Sequence, residues 1–498
     1  MTAGARQAHQ VCILCKNRKK KCDKALPSCG YCTRKGLSCS YQDGWRRSHD
    51  SGVGSPGSAR QSLNGSPATH AIGVPSVSDA IPTDPMALRT NLYIQVNRII
   101  RSTGQFVDDI TARYFQGIHH FIPVVSRTRF HDNLITLGAT PAADFSILLL
   151  SICLITHNPS PGTSRLETVD QHTIHVSARS LFAQLQAVLP PSVHLIQAGL
   201  LISMYEYAHG QVDQAFASIT GCARIAYSAR IHNRDFTRRA QETGVVTELE
   251  AEEAFNTWWG LVICERTIVC DVTVPEQPLV TIAPSEDARL PTESEVLAQG
   301  DSIDLNTMSN VLVSSPISIE VGGFGRAAQA ASHLDQVLKG FQMPDLRSRL
   351  VHLDFLDLGL QGFLKLVMQQ CQGKWAIFCG AIALAIRTLF VLHQHILALP
   401  AEEIANANYK APDKWFEGSL AALDTITKMT VDIAESHENV PPHVVDSMPP
   451  SLAYILRAAL QHIHSSTRPE DPSWSQSAEG RLQGALARFN RRWGVRDS

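Results

Sequence analysis

Six of the twelve cysteines in this 498-residue chain fall within residues 12–39, where the average frequency would place fewer than one. Their spacing is regular: Cys12-x2-Cys15-x6-Cys22-x6-Cys29-x2-Cys32-x6-Cys39, a duplicated C-x2-C-x6-C. A C-x2-C pair clamps a tetrahedral metal from one tight turn, and thiolates suit zinc. Two tetrahedral zinc ions present more ligand positions than six thiolates fill, unless two thiolates bridge both metals. The internal repeat makes its equivalent first cysteines, Cys12 and Cys29, the natural bridges. One Zn2+ then takes Cys12, Cys15, Cys22 and Cys29, and the other takes Cys12, Cys29, Cys32 and Cys39. An iron–sulfur cluster does not explain the paired symmetry or the cations set between the ligands.

Those cations are the second signal. "CKNRKKKC" (15–22) places Lys16, Arg18, Lys19, Lys20 and Lys21 between two ligands. Two Zn2+ with six thiolates carry a formal charge of −2, which partly balances them. Residues 1–50 hold eleven Lys/Arg against three acids, a net +8, whereas the rest of the chain carries −10. The surplus calls for a larger polyanion, and DNA phosphates are the obvious one. The same run can serve as a nuclear import patch. Val11, Ile13, Leu14, Leu26, Tyr31 and Leu37 are too few for a core. Metal binding must supply the folding energy, on the order of 10 kcal/mol or more per structural zinc.

The segment "CILCKNRKKKCDKALPSCGYCTRKGLSCSY" resembles the Zn2Cys6 binuclear-cluster domain of fungal transcription factors. Arg18, Lys19, Lys21, Asp23, Pro27 and Tyr41 match the family pattern, and Lys16 stands where arginine is usual. The resemblance implies a short helix near Leu14 to Lys19 whose C-terminal end enters the DNA major groove. Base reading then falls to Lys19 with Arg18 beside it, on a CGG-like triplet, because lysine donates well to O6 and N7 of guanine. Cys15 and Lys19 are i,i+4, so the helix must end around Lys19 for that side chain to leave the metal face. Lys16, Lys20, Lys21, Arg34 and Lys35 are assigned to phosphates, which position the module without reading sequence.

The elements around this module follow from composition. The expected organisation is a DNA-binding module over 1–41, a disordered Ser/Gly/Pro-rich linker over 42–90, and an all-α regulatory domain over 91–498. The linker carries no run of heptads, so any homodimer is expected through the helical domain. No secretory signal is visible, and "FSILLLSICLI" (145–155) and "FCGAIALAI" (378–386) fall short of the ~20 apolar residues that a bilayer needs. The expectation is a nuclear protein without membrane contact.

In the body, "IQAGLLISMYEYAHGQVDQAFASITGCARIAYSARIH" (196–232) reads as a helical hairpin. Leu201, Met204, Tyr205 and Ala208 line one stripe, Ala215, Ile219, Ala223 and Ala226 line the other, and Gly210 sits between them. "TELEAEEAFNTWWGLVICERTIVC" (247–270) starts acidic and turns apolar, as a helix with favourable N-terminal charge does. "SLAYILRAALQHIHSS" (451–466) and "RLQGALARFNRRWGV" (481–495) read as amphipathic helices, the last one docked. These stretches, with "ARYFQGIHHFIPVVSRTRF" (112–130) and "LPTE" (290–293), resemble the regulatory region of fungal zinc-cluster factors over roughly residues 105–300. The six remaining cysteines read as core residues. His119-His120, His393-x-His395 and His462-x-His464 lack partners at ligand spacing. "VGGFG" (321–325) reads as a turn, Asp354 and Asp357 as a solvated helix face, and no nucleophile motif is present, so no enzyme is expected.

The function these features imply is sequence-specific DNA binding at RNA polymerase II promoters, as activator of a fungal pathway. Family frequency favours a secondary-metabolite gene cluster. The rival is a nuclear interaction or ligand-sensing protein whose zinc cluster is purely structural; the basic run argues against it.

Overall fold

A computed structural model describes residues 11–12, 15, 20–25, 28–35, 39, 85–135, 141–158, 170–274, 277–298, 311–315, 321–371, 375–438, 440–465 and 472–493. The chain divides into two units, Met1–Gly73 and Val74–Ser498. The first contains the cysteine module, with helix α1 (Gly30–Arg34). The linker expected over 42–90 lies outside the described residues up to residue 84. The helical body then opens at Pro85, ahead of the composition change at residue 91.

The body runs through α2 (Pro85–Ser102), α3 (Val107–Gln116), α4 (Arg127–Ile135), α5 (Ala143–Thr156), α6 (Gln171–Val188), α7 (Val193–Ala208), α8 (Val212–Ser228), α9 (Arg234–Glu242) and α10 (Glu248–Val269). It continues through α11 (Ser294–Leu297), α12 (Gly323–Phe341), α13 (Leu346–Gln370), α14 (Trp375–Ala398), α15 (Ala401–Ala407), α16 (Pro412–Ser436), α17 (Pro442–Val445), α18 (Ser451–Ser465) and α19 (Pro472–Trp493). Among the described residues of the body the only β pairing is an isolated antiparallel bridge between Arg289 and Leu312.

Two apolar cores build this body. The first gathers α2 to α8 and α10; the second gathers α12 to α16 with α18 and α19. Helix α12 serves both, with Ala328 in the first and Ala327, Ala330 and Ala331 in the second. The run at 145–155 is α5, apolar on every side and buried on every side. The run at 378–386 is the middle of α14. Its segment Ile377–Ala398 is long and apolar enough by composition to cross a membrane, but 72% of its most apolar window is buried in the body. It is the central helix of the second core, and the sequence run was shorter than the helix it belongs to.

The hairpin forms as expected. Ser192 caps α7 by accepting from the Leu195 amide at 3.2 Å, and Gly210 turns the chain at φ +75°, a conformation that costs glycine little. All eight stripe residues named above are buried. Helix α10 begins with a capping box: the Thr247 hydroxyl accepts from the Glu250 amide, and the Glu250 carboxylate accepts from the Thr247 amide at 2.8 Å. Of the remaining cysteines, Cys153, Cys222, Cys264, Cys371 and Cys379 are buried and Cys270 is half-buried. Burial pushes the thiols of Cys153, Cys222, Cys264 and Cys379 up to about 12, which leaves them inert.

Buried ions hold the loops to this frame. The Glu265 carboxylate accepts from the Val280 amide at 2.7 Å and the Thr281 amide at 2.9 Å. Arg266 beside it donates to Glu265 at 2.8 Å, to Asp335 of α12 at 2.9 Å and to the Thr281 carbonyl at 2.7 Å. The "ER" that ends the aromatic helix in the sequence therefore fixes α10, its following loop and α12 together. At the C-terminus, Arg492 pairs with Asp446 and donates to the carbonyls of Ile155 and His157, which docks α19 on the first core. Asp354 and Asp357 are not merely solvated. Asp354 takes the Lys410 ammonium at 2.7 Å and Asp357 lies 3.3 Å from His393.

"VGGFG" is a correction to the expected turn: Gly322 caps α12, and Gly323 and Gly325 lie within it. The reason is Glu293, whose carboxylate accepts from the Gly325 amide at 2.9 Å. A Cβ on Gly322 would lie 2.3 Å from that carboxyl carbon, so any larger residue there would have to displace the carboxylate. Burial pushes the Glu293 carboxyl up to about 7, against the pull of the Gly325 and Phe324 amides. Its folded-state pKa exceeds its unfolded value, so ionisation opposes folding. Stability is expected to fall as pH rises from about 4.5 through 7 by on the order of 2–3 kcal/mol. Urea titrations at pH 5 and pH 8 check this: Glu293→Gln should remove that part of the difference, and an unchanged pH dependence would contradict the assignment.

A candidate zinc cluster and nucleic-acid interface

The cysteines converge. The Sγ atoms of Cys12, Cys15, Cys29 and Cys32 all lie within 4.8 Å of one another, and all four residues are buried. Cys12 lies 3.8 Å from both Cys29 and Cys32, and Cys15 lies 3.7 Å from Cys29. Cys22 joins Cys29 in a second group within the same limit. Two thiolates on one tetrahedral zinc, each about 2.3 Å from the metal, stand about 3.8 Å apart. The observed separations are those a shared zinc imposes, so the residues fit the metal.

The contacts are compatible with Cys12 and Cys29 as the bridges. Cys22 and Cys39 each interact with both Cys12 and Cys29. Cys15 and Cys32 also lie within 4.8 Å of Cys12, of Cys29 and of each other, so Cys12 and Cys29 are the sulfurs common to all the other cysteines. Each half is tightened by its own backbone: the Cys15 amide donates to Cys12 Sγ at 3.4 Å, and the Cys29 amide donates to Cys39 Sγ at 3.3 Å. Burial pushes the Cys32 thiol up to about 12 and the Cys15 thiol up also. Divalent cations reverse that sign by holding the thiolates, and this links metal binding to folding and to proton release.

Asp23 has a role that cysteine spacing did not reveal. Both of its carboxylate oxygens accept from the Gly30 amide at 3.0 Å, and one accepts from the Ala25 amide at 3.4 Å. It therefore anchors the start of α1, and the Gly30 and Ala25 amides hold its carboxyl below the usual range. A Cβ on Gly30 would lie 2.6 Å from the carboxylate, which accounts for glycine directly after Cys29. The signal in the sequence was the Asp that follows Cys22, matched to the family pattern without a physical role.

Of the cations assigned to DNA, Lys20, Lys21, Arg34 and Lys35 are exposed on the module. Arg34 reaches back across Gly30, and its charge acts on Asp23. Lys16, Arg18 and Lys19 lie outside the described residues. The Lys20 amide donates to the Cys15 carbonyl at 2.9 Å, a six-residue bond of the kind that ends helices. Among the described residues the candidate metal groups are those of the cysteine module. The histidine pairs join none of them: burial pushes His119 down to about 3, His393 faces Asp357, and His462 lies 2.7 Å from Asp424.

Residues 10–48 match the fungal Zn(2)-Cys(6) binuclear cluster domain, and residues 111–320 match the fungal specific transcription factor domain. The chain belongs to the fungal zinc-cluster transcription factors, a class whose cluster holds two zinc ions and binds DNA. It is similar to "Transcription factor BOA15" of Botryotinia fuckeliana, 23% identical over 26% of this chain and 69% of that protein. It is similar to "Transcription factor tazR" of Aspergillus terreus, 22% identical over 46% of this chain and 37% of the relative. The "Depudecin biosynthesis cluster-specific transcription activator DEP6" of Fusarium langsethiae is 23% identical over 52% of this chain and 56% of its own length. No solved structure matches the chain.

Proposed function

We propose that this chain is a nuclear, pathway-specific transcriptional activator that reads CGG-like triplets through Lys19 and Arg18 and controls a secondary-metabolite gene cluster. The observation that carries the reading is the six-cysteine cluster at zinc-compatible sulfur spacing, with exposed cations on the same module. The role that the Fusarium relative's name gives it supports the pathway class and the activator sign. Cys12, Cys15, Cys22, Cys29, Cys32 and Cys39 hold the metals. Lys16, Lys20, Lys21 and Lys35 meet phosphates, and Arg34 divides its charge between Asp23 and the DNA backbone.

Two lysines separate reading from positioning. Lys19→Ala should cost on the order of 1–3 kcal/mol on the CGG site and flatten discrimination against mutated triplets. Lys21→Ala should weaken all sequences alike and lower the salt slope by about one unit. Equilibrium gel shifts over a salt series distinguish the two. An unchanged specificity ratio in Lys19→Ala moves the reader to Arg18.

A further inference from the structure

Helix α13 is apolar on two faces, and among the described residues only one has a partner. Leu353, Leu356, Leu360 and Phe363 face the second core and are buried. On the outer face Val351, Phe355 and Leu358 are 42%, 73% and 66% exposed. With Gly359, Gly362 and the half-buried Leu366 they form one stripe at helical spacing. A Cβ on Gly359 or Gly362 would meet nothing within 4 Å, so no contact among the described residues calls for glycine at either position. Glycine is the poorest helix former after proline, and here two interrupt a long helix beside two large, strongly exposed apolar side chains.

We propose that this stripe is a homodimer surface, on which α13 of a second copy packs antiparallel about a two-fold axis midway between Leu358 and Gly359. That axis sets Phe355 against the partner's Gly362, Leu358 against the partner's Gly359, and Val351 against the partner's Leu366. Every large side chain meets a gap or an apolar neighbour, and the surface is its own complement, as an isologous contact requires. Charge agrees as well. Exposed Lys365 lies within about two residues' rise, or about 3 Å, of the level of the partner's Asp354, and the pair occurs twice by symmetry. Asp354 meets Lys410 of its own chain at 2.7 Å, so an acid stands between two bases.

The area sets the strength. One helix pair buries less than the roughly 1,600 Å² of a standard stable interface, so the free chain associates weakly, on the order of micromolar. Two triplets on one DNA raise the effective concentration and complete the dimer. Only that last consequence rests on the proposed function; the contact itself is tested without DNA.

Sedimentation velocity of the full zinc-loaded chain, across a series from nanomolar to high micromolar, should show a monomer–dimer equilibrium. Phe355→Glu should weaken it by about 100-fold. Gly362→Ala should weaken it too while raising the melting temperature by about 1–2 °C, a combination that a purely structural glycine does not produce. Register is read by a short thiol cross-linker. Leu358→Cys should cross-link between chains, whereas Val351→Cys should not, because two copies of residue 351 stand about 22 Å apart along the axis. A monomer at every concentration, a dimer unaffected by Phe355→Glu, or cross-linking of Val351→Cys equal to that of Leu358→Cys overturns the proposal. Loss of triplet binding by a chain that still dimerises counts against the proposed function instead.

Discussion

Cys29→Ala is expected to empty the cluster, whereas Cys39→Ala keeps about one zinc per chain. The full chain should carry two zinc ions by elemental analysis. Cys29 meets Cys12 and Cys15 at 3.8 and 3.7 Å and also faces Cys22 and Cys39, which places its sulfur to serve both metals, as the bridging assignment requires. Cys39 serves one. Each structural zinc contributes on the order of 10 kcal/mol or more to a module without an apolar core, so losing both unfolds it. DNA binding should vanish with Cys29 and weaken strongly with Cys39. Equal metal retention by the two variants contradicts the bridging assignment, and a zinc to protein ratio near one in the parent contradicts the two-metal cluster.

Arg266→Ala is expected to destabilise the helical body by roughly 3 kcal/mol, because it removes the buried cation that two carboxylates share and leaves Glu265 with backbone amides and Asp335 with Lys339 alone. Arg266 is 2% exposed, and Glu265 and Asp335 beside it are nearly as inaccessible. Urea unfolding followed by helical circular dichroism measures the loss. Combining Arg266→Met with Glu265→Gln and Asp335→Asn should recover most of it, since both carboxylates are then replaced by neutral amides. A change below about 1 kcal/mol in the single variant means that the network is not what joins α10, the 277–282 loop and α12. Zinc content should stay at the parent value, because the cluster belongs to the other unit.

What sequence reveals differs between the two units for a physical reason. The cluster is written in residue types and intervals, because metal ligation fixes both; the six cysteines could be grouped before any geometry. The Asp23 anchor could not be, because a carboxylate two residues from a lysine run reads first as a charge partner. In the body, the stripes of α7 and α8 and the glycine between them are local and periodic, and they fold as read. The buried networks are neither. Glu253 accepts from the Ser126 amide at 2.8 Å and from Gln197 at 3.1 Å, pairs separated by many tens of residues. "VGGFG" misleads on its own because glycine argues against helix; the Glu293 carboxylate that accepts from the Gly325 amide lies in another loop. The outer stripe of α13 is visible as periodicity, but only the packed structure tells which of its two apolar faces is left open.

The central claim is that this chain finds promoters through a zinc cluster. The most direct test is genome-wide chromatin occupancy of the full chain in its fungal host, run in parallel with Cys22→Ala expressed to the same level. The account predicts sharp peaks for the parent at promoters carrying CGG-like triplets, concentrated at one biosynthetic gene cluster, and none for the variant. Peaks that persist in Cys22→Ala at the same promoters would mean that the cluster is structural and that the helical body is brought to DNA by another protein.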